Sequence, residues 1–425
     1  MKANIISYLQ TYGQESFQQR AFNGVDALIL CQFSYLKFDG IIPGLPQAMG
    51  KSVTALQTEA LAHAFSEDTG QSGMEKDEGT GQSGMEKDED TGQSGMKEGL
   101  PMVTLLDIWR SPNRERMFYD IRFEEENRAL AEQLLLSARF KHAHFGLFAD
   151  FVSAEEKVQF SALTCVLEDG SVKIIYRGTD ESLAGWREDM DMALTYPVPG
   201  QEYSSRYLEL AAGFLTGPLD ILGHSKGGNL AVYAAMNASN EVQARINTIY
   251  NMDGPGFKKG VCQLELFERI EPKIQKFIPR SSLVGMILEN YGDYRVVDSD
   301  AVGMMQHFPS SWTVEGTDFA YLEKLDEPQR IINDAVREWL ERLSEEEQRE
   351  FVDTLFEVLE ASGVSDLVEF TRDYKGCISR MLTALQNQDP DKRKRALRVV
   401  RLLFQISGQP FKSEALAWIQ EKLEK

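Results

Sequence analysis

Residues 219–237 read LDILGHSKGGNLAVYAAMN, and the fold turns on how that stretch is parsed. Leu219 to Leu222 is a short apolar run of the kind that forms a buried strand, and a helix opens near Lys226. Between them Gly223-His224-Ser225-Lys226-Gly227 fits G-x-S-x-G, the pattern of a serine held on a sharp strand-to-helix turn. The glycines belong there because a Cβ at the flanking positions collides with neighbouring backbone. Such a turn presents Ser225 Oγ to solvent. The helix N-terminus behind it adds positive potential and a free N–H, that of Lys226, for a developing oxyanion. The bland alternative is a glycine-rich strand-helix turn without chemistry.

Around this stretch strands and helices alternate. FSALTCVL, the turn EDG and VKIIYRG predict an antiparallel hairpin over 160–178. Helices follow over 182–192 and 204–215. After the central strand and helix come the strand INTIYNM, a helix near 264–270, and the strands IQKFIP and RVVDS. This order predicts an α/β domain with a mostly parallel, helix-covered sheet.

A serine nucleophile needs a base. Of the five histidines, His63 precedes a repeat, His142 and His144 are placed ahead of the sheet, and His224 sits inside the elbow. His307, after the last strand in GMMQHFPSSW, stands where the chain order Ser-acid-His puts the base. For the acid, Asp253 follows INTIYNM and emerges at the strand edge where open α/β sheets place ligands. Asp293, Asp298 and Asp300 compete, and Asp253 also reads as a turn carboxylate. Thr179, in YRGTD at the end of the hairpin, offers an N–H and a hydroxyl to the oxyanion. Otherwise this is a strand end, with Asp180 capping the next helix.

The flanks differ from this core. Residues 25–38, 52–65 and 122–140 carry helical spacing. TGQSGMEKDEG from Thr69, TGQSGMEKDED from Thr80 and a partial copy from Thr91 form a repeat of period 11, with one Met per unit, too apolar-poor to fold. After about Val314 no strand is expected, only amphipathic helices at 327–343, 345–361, 364–386, 392–405 and 413–423. The predicted division is an N-terminal helical part (1–66), a disordered insert (67–99), an α/β core (100–315) and a C-terminal helical region (316–425).

The 45 Lys and Arg stand against 66 Asp and Glu, a net charge of −21, which disfavours nucleic acid and anionic membranes. No leader pattern and no 18-residue apolar run is read, which predicts a cytoplasmic protein without a transmembrane segment. Cys31, Cys165, Cys262 and Cys377 are too scattered for a zinc site or a disulfide framework. No cofactor and no metal is expected.

YRGTD followed by AGWREDMDM resembles the FRGT-x-dW-x-x-D segment of class 3 lipases, and GHSKGGNLAVYAA resembles their elbow and helix. With NIISYLQ, DALILCQFSYLKF, QFSAL, DGPGF and QHFPSSW, the chain resembles an uncharacterised, Mbeg-like bacterial family of lipase-like α/β hydrolases over roughly residues 1–315. The resemblance implies an α/β-hydrolase fold, Ser225 as nucleophile, His307 as the family histidine, and Thr179 and Lys226 as oxyanion positions. It also implies a departure: in FIPRSSLVG, Ser282 stands where the lipase aspartate belongs, so Asp253 serves instead or the triad is incomplete. The expected activity is hydrolysis of a small-molecule or lipid carboxylic ester through an acyl-enzyme. The N-terminal helices and the repeat are expected to cap the pocket. The alternative is a non-catalytic protein of the same fold that binds an acyl lipid or a protein partner, with the C-terminal helices as the partner surface.

Overall fold

A computed structural model describes residues 2–45, 100–363 except Asp120, Ala154, Glu181 and Tyr291, and 374–395. The helix expected over 52–65, the repeat, and the helices beyond 395 lie outside the described residues. In the N-terminal part are α1 (Ile5–Tyr12) and α2 (Gly24–Phe33). Next come β1 (Met102–Thr104), α3 (Leu105–Arg110), α4 (Glu124–Leu136), β2 (His144–Ser153), β3 (Val158–Val166) and β4 (Val172–Tyr176). Then follow α5 (Leu183–Asp191), α6 (Pro199–Phe214), β5 (Leu219–His224), α7 (Lys226–Asn237), α8 (Asn240–Arg245) and β6 (Ile246–Met252). After the short α9 (Glu265–Glu268) come β7 (Ile274–Pro279), β8 (Tyr294–Val297), β9 (Val314–Glu315), β10 (Asp318–Phe319) and β11 (Tyr321–Leu322). The chain goes on through α10 (Glu327–Arg342), α11 (Glu345–Ala361) and α12 (Tyr374–Gln386).

Nine strands form one mixed sheet in the order β1-β2-β3-β4-β5-β6-β7-β8-β11. From β4 to β8 neighbouring strands are parallel, and the two flanks are antiparallel. Each parallel strand lies beside its predecessor, so successive crossovers of one hand fall on one face. That face carries α6 and α7, packed through Tyr207, Leu208, Leu230 and Ala234 onto Ile174, Ile221 and Ile249. Strand residues one step out of phase, Ile175, Leu222 and Phe277, point the other way. They meet α1, α2 and α4, giving three layers.

Three expectations need correction. His144 is not ahead of the sheet: it opens β2, whose run HFGLFADFVS lacks the polar alternation that would have marked a strand. Strands do not end at Val314, for β11 pairs with β8 beyond the boundary drawn at residue 315. Of the expected cap, α1 and α2 lie elsewhere: every α2 residue but Gln32 is buried, and α2 packs beneath the sheet against β5. A helix apolar all round belongs inside. Asn23 caps α2 in a reciprocal pair with Asp26, the third residue of the helix. The C-terminal helices also touch the core, since Phe356 and Val352 of α11 pack with Leu194, Trp186 and Met190. The four cysteines are free, three of them buried. Among the described residues no helix is long and apolar enough to cross a membrane, and no cluster of metal-ligating side chains occurs.

Candidate active site

Ser225 joins β5 directly to α7 with φ 59° and ψ −135°, a backbone conformation that non-glycine residues rarely hold. Strain of this kind persists only where surroundings impose it. Here the turn is pinned by Ser225 N–H donating to Met252 O at 2.9 Å and Gly228 N–H donating to Ser225 O at 2.8 Å. A Cβ on Gly223 would lie 1.9 Å from Gly227 O, and one on Gly227 would lie 2.0 Å from Tyr176 O. Both glycines are therefore steric necessities. Lys226 takes the first position of α7, where a backbone N–H has no intrahelical acceptor.

The Lys226 side chain is buried and turns away into the crossover layer. Its ammonium donates to Gln159 O at 2.7 Å, Gln159 Oε1 at 2.8 Å and Glu188 Oε2 at 2.8 Å. Glu188 Oε1 in turn accepts from Gly200 N–H at 2.6 Å. This ion pair ties α5, and with it the loop carrying Thr179, to the elbow helix. Thr179 Oγ1 donates to Asp189 Oδ2 at 2.6 Å. Asp189 Oδ1 is buried without a partner, and burial pushes this carboxyl up to about 6 although Lys226 and the Thr179 hydrogen bond pull it down.

On the other side, Asp253 follows β6 with φ 52° and is fully buried. Its Oδ2 lies 2.6 Å from His307 Nδ1. Its Oδ1 accepts from Gly285 N–H at 3.1 Å and from Ser282 Oγ at 2.5 Å. A carboxylate so placed makes Nδ1 the protonated nitrogen and leaves Nε2 of His307 basic. Ser282, expected as a sign of a missing acid, thus donates to the carboxylate that contacts His307. Asp298 pairs with Lys2 and Arg280, while Asp293 and Asp300 are exposed. None of the three contacts His307. The ring of His307 lies 4.6 Å from that of His224, between centroids. Among the described residues Ser225 Oγ makes no hydrogen bond to His307.

The family model described as Mbeg1-like matches residues 134–357, just over half of the 425. The chain belongs to the Mbeg1-like family. No curated protein and no solved structure matches it closely enough to add to this. The Mbeg1-like segment takes in Thr179, Asp189, Ser225, Lys226, Asp253, Ser282 and His307, together with α10 and most of α11. It leaves out α1 and α2.

Sequence reasoning brought forward Ser225, Lys226, Thr179, Asp253 and His307 but missed the support of Asp189, Glu188 and Ser282. The acidic run REDMD, starting eight residues after Thr179, was the available signal for the first two. A cavity of about 820 Å³ opens between α10 and the 283–290 segment, lined in part by Leu283, Met286 and Leu340. It borders the turn that holds Asp253, yet neither Ser225 nor His307 lines it, so it is not assigned to the chemistry of this site.

Proposed function

We propose that this Mbeg1-like protein is a serine hydrolase of the α/β-hydrolase, lipase-like kind, acting on a carboxylic ester. The observation that carries the reading is the 2.6 Å contact of His307 Nδ1 with buried Asp253, beside a serine strained on a strand-to-helix turn. Ser225 Oγ attacks the acyl carbon while His307 Nε2 takes its proton. Asp253 keeps the imidazole in the tautomer that leaves Nε2 basic and stabilises the imidazolium that forms. The backbone N–H groups of Lys226 and Thr179 face the developing oxyanion. His307 returns the proton to the leaving alkoxide, the alcohol departs, and water cleaves the acyl-enzyme by the same route.

A panel of p-nitrophenyl esters of increasing acyl length tests the proposal with purified full-length protein. Turnover is expected for at least one ester, lost in Ser225→Ala and reduced by on the order of 10⁴ in kcat by Asp253→Asn. No turnover of any ester by folded parent protein would count against it and favour the binding reading, in which the fold holds an acyl lipid or a protein partner.

A further inference from the structure

We infer that Tyr35 and His224 are positioning residues of this site: a directional hydrogen-bond chain running from the N-terminal layer fixes the main chain of His307 against the elbow, with the loop before Thr179 packed against the Tyr35 hydroxyl. The chain of bonds is a property of the structure; its effect on catalysis rests on the serine-hydrolase reading.

The direction of each bond follows from what its atoms can do. His224 Nε2 lies 2.8 Å from the carbonyl oxygen of His307. A carbonyl only accepts, so Nε2 carries the hydrogen. Burial first, and His307 second, hold the His224 imidazole well below the ordinary histidine range, so the ring is neutral and has a single N–H. Nδ1 is then a lone pair, and Tyr35 Oη, 2.9 Å away, must donate to it. Burial raises the Tyr35 hydroxyl above its usual range, which keeps that donor protonated. The sequence of donors is therefore Tyr35 O–H to His224 Nδ1, then His224 Nε2–H to His307 O. Reversing any one bond leaves the carbonyl facing a lone pair.

The neighbourhood has no slack. A Cβ added to Gly178 would fall 2.3 Å from Tyr35 Oη, 2.7 Å from His224 O and 2.8 Å from Ser225 Cβ. The oxyanion loop, the tyrosine and the elbow thus touch at one point. His307 is held twice, by Asp253 at its ring and by His224 at its carbonyl, which fixes where Nε2 points.

Packing alone does not account for these two side chains. Phenylalanine at 35 fills the same space without a hydroxyl, and an aliphatic residue at 224 avoids the cost of burying an imidazole. His224 is also not a second base, because both its nitrogens are engaged and its ring stays neutral. Tyr35 lies outside the Mbeg1-like match, in the segment that follows α2.

The test uses full-length protein labelled with ¹⁵N-histidine. Long-range ¹H–¹⁵N correlation reads the tautomer of each imidazole, and loss of a signal in His224→Gln assigns His224. The expected result is a neutral Nε2–H ring in the parent and a shift toward mixed tautomers in Tyr35→Phe. In parallel, a fluorophosphonate probe reports the rate of modification at Ser225. Tyr35→Phe and His224→Leu are expected to slow the maximal rate about tenfold with little change in probe affinity, the size of effect a small misplacement produces. His224→Gln, whose amide nitrogen reaches the place of Nε2, is expected to stay within a few-fold of the parent. An Nδ1–H tautomer in the parent, or parent-like rates in folded Tyr35→Phe and His224→Leu, would overturn the inference. If the parent never reacts with the probe, the hydrolase reading fails, and the tautomer measurement alone decides the hydrogen-bond chain.

Discussion

The two faces of the sheet are built from different parts of the chain. On the crossover face α6 and α7 are links between adjacent strands, so handedness alone places them, and they lie inside the Mbeg1-like match. On the far face α1 and α2 arrive from the N-terminus with no strand ahead of them among the described residues to dictate their position. Yet the second face is no looser. Phe33, Phe145, Leu222 and Trp312 are as deeply buried there as Tyr207, Leu230 and Ile221 are on the first. A sheet whose crossovers all fall on one side needs its other side covered, and here the N-terminal segment does it. The same division runs through the candidate site, where the crossover face carries Ser225 at the start of α7 and the far face contributes Tyr35.

The largest effect that would break this equivalence comes from two fully enclosed ion pairs, one on each face. Arg139 donates to both oxygens of Asp26 and to the carbonyls of Glu15, Arg20 and Ala21, with the pair wholly enclosed. Removing it strands a buried carboxylate. Arg139→Met is expected to cost about 3–5 kcal/mol, as is Lys226→Met opposite Glu188. Urea unfolding should remain a single transition in both variants. A separate early transition in Arg139→Met would make the N-terminal layer a satellite of the core rather than part of it.

Apolar truncation sharpens the comparison at a smaller scale. Leu28 and Leu230 are fully buried on opposite faces. Each change to alanine is expected to lower stability by about 3 kcal/mol, with the two values within about 1 kcal/mol of each other. A Leu28→Ala loss below about 1 kcal/mol would show that α2 is poorly packed in solution.

The smallest effect concerns the polar seam next to the crossover face. Burial raises the Asp189 carboxyl from 3.8 to about 6, so between those values the folded protein keeps a proton the unfolded chain has released. Stability from this group is therefore highest at low pH, falls as pH rises from about 4 to about 6, and stays lower above that. Asp189→Asn removes the slope. Because the residue is only half-buried, the expected gain of the variant over the parent at pH 7 relative to pH 4 is on the order of 1 kcal/mol. Equal pH dependence of the two proteins would contradict the assigned shift.

Much of the crossover half was legible in the sequence, because Leu219 to Leu222, the glycines around Ser225 and the helix after Lys226 are local signals. Asp253 was separable from its competitors only by its place after INTIYNM, and of the four carboxylates it is the one in contact with His307. The far half was not legible. The helical pattern of residues 25–38 announced a helix, but nothing in it named the face of the sheet it covers. His144 was misplaced because β2 is largely apolar without alternation, and β9 to β11 are too short for any period to show. Ser282 was read as a loss because its partner is 29 residues away, across a strand.

The central claim is that Ser225 is a working nucleophile served by His307 and Asp253. It is tested most directly by incubating purified protein with a fluorophosphonate and mapping the adduct by peptide mass spectrometry. A single adduct on Ser225 is expected, absent in Ser225→Ala and strongly slowed in His307→Ala and Asp253→Asn. Folded protein that takes up no probe, or that is modified at Ser225 equally fast without His307, would contradict it.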